Sequence, residues 1–461
     1  MNLKTIISKF LGIQNLSPEG RTLLKTFFSF TLINSLVTSV SGTFFTLYAI
    51  DKIGFALTGA MMAVMLLTQF IFDYPSGSLG DYIGQRWVLT FAYLCWGYGF
   101  FMISAAENFI HFLVIAIVNG LGVAQYSGAL DTWLDSNYKK LDSIDTDRKI
   151  YGYARSQVHT LNNLALAASY MIGGYLSVTF SRQTVFFLQF WLSFIMVVFV
   201  LLKIKDISIM NKSDLQSPFL EENSSYITYL KGGMRFMKSS KAAFFLILGI
   251  AILNTTWWIW GSLILFPLYF GYSGDDMGAN LLRTIVMLNG VPLGLFVAKF
   301  SKRISTKHYP IILLVFLFLF FPAVICLLAF VPLENAFNLI GFVSTIVIIN
   351  ISVSTIYRTA EVLRMRLLVD FVPSENRNSI YSLIPTITAL FSVPLLPLTG
   401  QIIEYLGLVG GMVVILAVFS ISFLVIAIGT RFMKSGMKIG SLDKLAKETA
   451  EKVEVLSELT F

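Results

Sequence analysis

The sequence predicts an all-α membrane protein with 12 transmembrane helices, arranged as two pseudo-symmetric halves of six. Three observations predict this fold class: an apolar composition, twelve separate apolar runs, and the placement of lysine and arginine. Of the 461 residues, 56% are apolar or aromatic and 13% are charged, and the mean hydropathy is +0.74. Soluble domains carry about 25% charged residues, so the composition excludes a soluble protein for most of the chain.

The apolar runs have the length that a membrane helix needs, which is about 20 residues. Short polar turns separate most of them. One longer polar stretch, rich in serine, asparagine and charged residues, separates the first six runs from the last six. The predicted spans, numbered 1 to 12 in chain order, are 23–49, 56–80, 87–106, 110–138, 151–178, 183–203, 242–270, 277–300, 308–331, 336–362, 379–403 and 408–430.

These runs divide the chain into five parts. A lead-in at 1–22 precedes a first six-helix half at 23–203. A linker at 204–241 then connects to a second six-helix half at 242–431, and a tail follows at 432–461.

Lysine and arginine indicate the orientation, because cytoplasmic loops carry an excess of them. With the N-terminus placed in the cytoplasm, 30 of the 34 lie in inner segments, Lys52 and Arg182 lie in outer turns, and Arg283 and Arg358 lie within spans. An even number of spans fits this partition. We therefore expect a multi-pass integral protein of the cell membrane whose termini and linker are cytoplasmic.

The inner loops of the two halves resemble each other. The loops 77–86 after span 2 and 294–303 after span 8 share glycine, a large apolar residue, a small residue and arginine at matched spacing. Arg148 and Arg377 stand in matching loops after spans 4 and 10. Two copies of a six-helix unit are typical of transporters, whose site lies between halves that move against each other.

The loop after span 2 resembles the major facilitator superfamily signature Gly-x-Leu-x-Asp-x-x-Gly-x-[Arg/Lys]. The matching residues are Gly77, Leu79, Asp81, Gly84 and Arg86. The resemblance implies the fold of that family and a gating loop. In such a gate Asp81 meets the start of span 11, and Arg86 meets an acid at the inner end of span 4, where Asp135 lies. These contacts would hold the inner side closed; the alternative is a basic loop that only sets topology.

Polar and ionisable side chains inside spans are costly in lipid and usually face a cavity or a partner. The candidates for a substrate or proton cavity are Asn34, Thr38, Asp131, His159, Asn162, Asn254, Trp257, Trp258, Arg283, Asn350, Arg358 and Glu361. A structural role competes in each case. Hydroxyl side chains bond their own helix, tryptophans pack against lipid or neighbouring helices, and charges near span ends are paired or hydrated.

Asp131 and Arg358 occupy equivalent places in the two halves and carry opposite charges. This suggests an inner-gate pair that forms across the halves when the inner side closes. The competing interpretation pairs Arg358 with Glu361 on its own helix, at i,i+3 spacing, and leaves Asp131 hydrated.

The leading functional hypothesis is a secondary active transporter that moves a small organic solute by alternating access. The coupling ion, a proton or sodium, is left open. The alternatives are a non-transporting sensor or scaffold of the same fold, and a lipid-moving protein. The sequence has no G-x-x-x-x-G-K-[ST] loop, no H-E-x-x-H and no Gly-x-Ser-x-Gly elbow, so we expect neither an ATP-driven pump nor an enzyme. We expect no cofactor, no metal and no nucleic-acid partner, and a monomer in the bilayer.

Overall fold

The structure, a computed structural model, is α-helical throughout its described part and has no strand there. This confirms the predicted all-α class. The described residues are 8, 10–141, 145, 148–206, 226–334, 336–372 and 377–458. Within the helices, the side chains of 74–79, 81–82, 226–230, 377–379, 381–382 and 434–458 lie outside the described residues.

The helices follow one another with short connections. Two π-helical segments, Trp260–Ile264 and Ile349–Tyr357, each join two consecutive α-helices. The α-helices are α1 Pro18–Ser39, α2 Phe44–Ile83, α3 Gln85–Ser104, α4 Phe109–Tyr126, α5 Ala129–Leu141, α6 Lys149–Thr179, α7 Arg182–Lys203, α8 Tyr226–Ser239, α9 Lys241–Ile259, α10 Leu265–Ser273, α11 Asp276–Ser301, α12 Tyr309–Phe330, α13 Leu339–Ile348, α14 Arg358–Phe371 and α15 Arg377–Glu458. We call α1–α7 the N-group and α9–α15 the C-group.

Among the described residues, nine helical segments are long and apolar enough to cross a membrane. They are Pro18–Asp73, Gln85–Ser104, Phe109–Leu141, Arg182–Lys203, Lys241–Ser273, Asp276–Ser301, Thr306–Phe330, Leu339–Phe371 and Leu383–Met433. An integral, multi-pass membrane protein is therefore confirmed.

Glycines interrupt the two longest segments. Gly54 has φ 77° and ψ 174° inside α2, and Gly407 has φ 67° and ψ −172° inside α15. Both φ values lie in the left-handed region, which only glycine adopts without strain. These segments have 56 and 51 residues, which at the helical rise per residue correspond to about 84 and 76 Å. Because the bilayer core is only about 30 Å thick, each segment is long enough to cross it twice.

Polar contacts tie the helix ends of the N-group together at two faces. The terminal face carries the start of α1 and the end of α7. There the Ser17 hydroxyl donates to the Leu141 carbonyl (3.1 Å), and the Trp133 indole donates to the Lys205 carbonyl (3.0 Å). At the opposite, distal face, the Tyr48 hydroxyl donates to a carbonyl in the turn between α3 and α4.

The buried apolar side chains form two clusters that divide the molecule unequally. The larger cluster combines the C-group with the distal parts of the N-group, such as Phe44, Phe112 and Phe186. The smaller cluster contains only the terminal parts of the N-group, such as Phe30 and Trp133. The two groups therefore share a core at the distal face, while the N-group has a separate core at the terminal face.

Candidate functional site

An arginine joins the two groups at the distal face. Arg182, at the start of α7, donates from Nε and Nη2 to the two carboxylate oxygens of Asp276, at the start of α11, over 2.8 and 2.7 Å. Its Nη1 donates to Asp51 in α2. The Arg182 and Asp276 side chains are 16% and 8% exposed, and that of Asp51 is 62% exposed. Bidentate, charge-assisted pairs are strong, so this contact holds the distal ends of the groups together.

Glycines bring the backbones of α2 and α15 into direct contact near the same face. A Cβ atom on Gly400 would lie 2.3 Å from the Phe55 carbonyl oxygen, and one on Gly59 would lie 2.4 Å from the Leu396 carbonyl oxygen. Real Cβ atoms do not approach oxygen this closely, so any side chain at either position would force the two helices apart.

One stripe of α6 shows where the contact between the N-group and the C-group ends. The Ala167 carbonyl accepts a hydrogen bond from Thr284 of α11 (3.3 Å), and Gly174 lies against Asn280. His159 lies on the same stripe, about 12 Å closer to the terminal face, and it is exposed. The groups therefore touch along α6 and α11 near the distal face, whereas His159 is exposed.

The acids of α5 pair within the N-group. Asp131 accepts a hydrogen bond from Arg155 (2.5 Å), and Asp135 pairs with Arg148 (2.9 Å) and Lys139 (3.0 Å). The interpretation of Asp131 as a merely hydrated carboxylate is therefore wrong, because α6 brings a guanidinium to it.

The charges of α14 also remain within their own group. Arg358 donates to the Gly290 carbonyl of α11 (2.9 Å), and Glu361 pairs with Arg364 (3.1 Å). The predicted same-helix pair of Arg358 with Glu361 is therefore wrong, since Glu361 has a partner one turn further along. The cross-group pair with Asp131 is not formed here. We expect this pair only when the terminal face is closed, and it stays a prediction.

Gly84 forms the turn between α2 and α3. Gly84 has φ 100°, so the tight turn requires glycine. Arg86 donates from Nη2 to the Leu201 carbonyl (2.5 Å), and its backbone N–H donates to Asp206 (3.1 Å). Burial raises the pKa of the Asp206 carboxyl, and the hydrogen bonds it accepts partly offset that rise.

The expected contact of Arg86 with Asp135 is absent in this structure, because each side chain has other partners. The side chains of Gly77, Leu79 and Asp81 lie outside the described residues, so the contact of Asp81 with span 11 stays a prediction.

The polar face of α1 meets α3 and α6. Asn34 accepts a hydrogen bond from the Tyr93 hydroxyl (2.6 Å), and Ser35 donates to the side chain of Asn162. Thr38 donates to the Asn34 carbonyl on its own helix (2.8 Å), which is the structural role that competed in the sequence. The structure therefore brings Asn162 of α6 close to Asn34 of α1.

A second polar and aromatic surface lies between α9 and α14. The Asn254 side chain accepts a hydrogen bond from Arg364 (2.8 Å), and the rings of Trp257 and Tyr357 are 4.2 Å apart between centroids. Sequence reasoning missed Arg364, which it counted as a loop residue. Its i,i+3 spacing from Glu361 was the signal that could have found it.

Other candidates take no part in this surface. Trp258 is partly buried and forms no ring pair among the described residues, and Asn350 is buried with a side-chain oxygen that has no partner there. Among the described residues, no three His, Cys, Asp or Glu side chains are placed to hold a metal ion.

Arg283 lies where the two groups meet. Its Nη1 donates to the Gly42 carbonyl (2.6 Å) and to the Thr43 hydroxyl (3.2 Å), in the break between α1 and α2. The guanidinium carbon lies 3.9 Å from the centroid of the Tyr170 ring and 4.8 Å from that of Phe266. A C-group arginine is thus held by both groups at the end of the space between them.

The chain has the fold of two solved transporters. The chain aligns with the nucleoside transporter NupG with a TM-score of 0.67 and 16% identity, over 91% of this chain and 100% of that one. It also aligns with a bacterial homologue of the human lysosomal transporter Spinster, in an inward-facing and occupied conformation, with a TM-score of 0.64 and 13% identity over 90% and 98% of the two chains. At such identities the likeness shows the fold alone.

Sequence comparison gives the family. An uncharacterized MFS-type transporter of Bacillus subtilis (strain 168), YxaM, is 29% identical over 113 residues, which is 23% of this chain and 27% of that relative. The sequence model of the Major Facilitator Superfamily matches residues 27–390. This match spans most of the chain, so the protein is a transporter-family membrane protein, and it belongs to the Major Facilitator Superfamily.

Proposed function

We propose that this protein is a secondary active transporter that moves a small organic solute by alternating access. The observation that carries the proposal is the unequal contact between the two groups. They share a core and a buried ion pair at the distal face, but their charged residues pair separately at the terminal face. With the arginine-rich terminal face in the cytoplasm, this is the arrangement of an inward-facing state.

Twelve spans in two halves fit the helices. The glycine breaks at Gly54 and Gly407 each divide one of the nine apolar segments in two. Helix α6 has 31 residues, about 46 Å, and is long enough to cross although its polar side chains lower its hydropathy. Two further spans from the breaks and one from α6 raise nine to twelve, with six before the linker and six after it.

Half-buried polar and aromatic side chains in both groups support an organic solute as the substrate. Asn34 and Asn162 offer hydrogen-bonding groups from the N-group, and Asn254 and Trp257 offer an amide and an aromatic face from the C-group. Ligand sites commonly combine apolar and aromatic surface with a few placed polar groups.

Thermal stabilisation of the purified protein by a solute library tests the function. We expect a stabilising solute to be taken up by proteoliposomes and to slow the labelling of His159→Cys by an impermeant maleimide, because closing the terminal face covers that stripe of α6. The background carries Cys95→Ala and Cys326→Ala. Lys307→Cys, which is exposed, is the control whose labelling stays constant. A solute that stabilises the protein and alters labelling without any uptake would favour the non-transporting sensor.

Labelling also tests the topology. Glu334→Cys and Lys302→Cys are exposed positions in connections at opposite faces. In intact cells we expect an impermeant maleimide to modify Glu334→Cys, and Lys302→Cys only after the membrane is opened. Equal labelling of both positions from outside would contradict the twelve-span arrangement.

A further inference from the structure

The guanidinium of Arg283 has no acidic partner among the described residues. Two bonds from Nη1 reach a carbonyl and a hydroxyl, and both acceptors are neutral. Arginine has five N–H donors, and the three on Nε and Nη2 find no acceptor in the described part of the chain. The guanidinium lies in the interior, yet the residue is partly exposed, so its open surface faces the space between the groups.

The acids that could neutralise it have other partners. Asp276 pairs with Arg182 at the distal face, and Glu361 pairs with Arg364 on the side of α9. A charge within a membrane span is costly unless a partner or water compensates it. A positive charge kept without an acid beside it is therefore available to an anion that enters the space.

A second arginine lies on the route to Arg283. Arg358 is exposed, has no ion pair among the described residues, and bonds the carbonyl of Gly290. Gly290 is seven residues from Arg283 on α11 and shares its face, about 10 Å closer to the open terminal face. Arg283 on α11 and Arg358 beside Gly290 thus lie one after the other between the distal and the terminal face, and neither has an ion pair in the described part of the chain. Their positive charges make the entry path attractive to anions.

We infer that the transported solute is an organic anion whose carboxylate or phosphate binds Arg283. The free Nε and Nη2 donors form a fork that suits two anionic oxygens. The buried rings of Tyr170 and Phe266 lie against the guanidinium and hold it in place. Arg358 attracts the anion at the entrance. This inference rests on the proposed function and adds the substrate class to it.

Matched anionic and neutral probes test the inference on the purified full chain. The soluble probes are benzoate, with benzamide as its neutral analogue, and phenyl phosphate. Lysophosphatidate, with monoolein as its neutral analogue, tests whether the anion is a lipid. We expect saturable thermal stabilisation by at least one anion and a much smaller effect of its neutral analogue. Arg283→Gln should weaken the apparent affinity about 10- to 100-fold. Arg303→Gln removes an exposed charge just beyond α11 and should leave the affinity unchanged.

A second measurement keeps the test valid if Arg283→Gln folds poorly. Met287→Cys lies one turn from Arg283 towards the terminal face and is partly exposed. Its reaction rate with the anionic reagent sulfonatoethyl methanethiosulfonate is divided by its rate with the cationic trimethylammonioethyl reagent. This ratio of rates reports the local charge. We expect this ratio, normalised to a free thiol, to exceed one, to fall at least threefold in Arg283→Gln and to persist in Arg283→Lys.

Failure of this inference can be distinguished from failure of the proposed function. Stabilisation and uptake of a neutral solute, or equal binding of an anion with and without Arg283, would overturn the anion site and leave the transporter intact. If no probe anion stabilises the protein and the reagent ratio does not depend on Arg283, that outcome also overturns the anion site. Loss of transport alone would not support it, since Arg283 also contacts the break before α2.

Discussion

Replacing Arg182 with glutamine is expected to open the distal face. The substitution leaves Asp276 buried without its partner, and breaking a buried ion pair in this way costs about 3–5 kcal/mol. Water would hydrate Asp276 if the distal face opened, so this free-energy cost destabilises only the closed arrangement. We expect Thr46→Cys, which is buried near this face, to label from outside at least tenfold faster in Arg182→Gln. A tenfold change needs only about 1.4 kcal/mol, well below the expected cost.

The second acid of the network provides the control. Asp51 is mostly exposed, and exposed ion pairs contribute about 1 kcal/mol or less, so Asp51→Asn should change labelling little. Arg182→Gln combined with Asp276→Asn leaves no buried charge unpaired and should recover part of the closure. His159→Cys should label more slowly from inside as Thr46→Cys labels faster, whereas a misfolded protein would label at both. Unchanged labelling of Thr46→Cys in Arg182→Gln would show that the ion pair does not hold the distal face.

The sequence predicted the helical membrane class because lipid imposes the pattern directly. Backbone groups must be satisfied within each crossing segment, so every span needs its own apolar run.

Contacts between distant helices were not predictable from the sequence. Arg182 stood out only as one of two basic residues in outer turns. Its partners, Asp51 and Asp276, come 131 and 94 residues away in the chain, and only the packing of α2, α7 and α11 brings them together. Charge type and helix face identify a residue that needs a partner, but they do not identify the partner.

The charged residues of the candidate site show the same limit. Asp131 and Arg358 were paired because they occupy equivalent repeat positions, but Arg155 reaches Asp131 from α6, and Arg358 turns to a carbonyl of α11. Arg283 was identified because an arginine within a span needs compensation. Its neighbours, the Tyr170 ring and the Gly42 carbonyl, depend on the contact between the two groups.

Gly400→Ala is expected to shift the protein in the same direction as Arg182→Gln, for a steric reason. The added methyl group would lie 2.3 Å from the Phe55 carbonyl oxygen and 2.7 Å from its carbon. Both are backbone atoms, which cannot rotate away as a side chain does. Overpacking costs about 1–3 kcal/mol, and here it arises only while α2 and α15 touch. External labelling of Thr46→Cys should therefore rise about 10-fold or more, and transport should fall.

Gly261→Ala is the matched control, because a Cβ atom there meets no atom within 4 Å. It adds the same methyl group to the C-group and should leave labelling and transport close to those of the parent. If both alanine variants behave alike, the close approach of α2 to α15 does not govern closure. If Gly400→Ala and Arg182→Gln both expose Thr46→Cys while Gly261→Ala does not, two unrelated contacts, one steric and one electrostatic, stabilise the same closed distal face. That result would identify the distal face as the gate that opens when the terminal face closes.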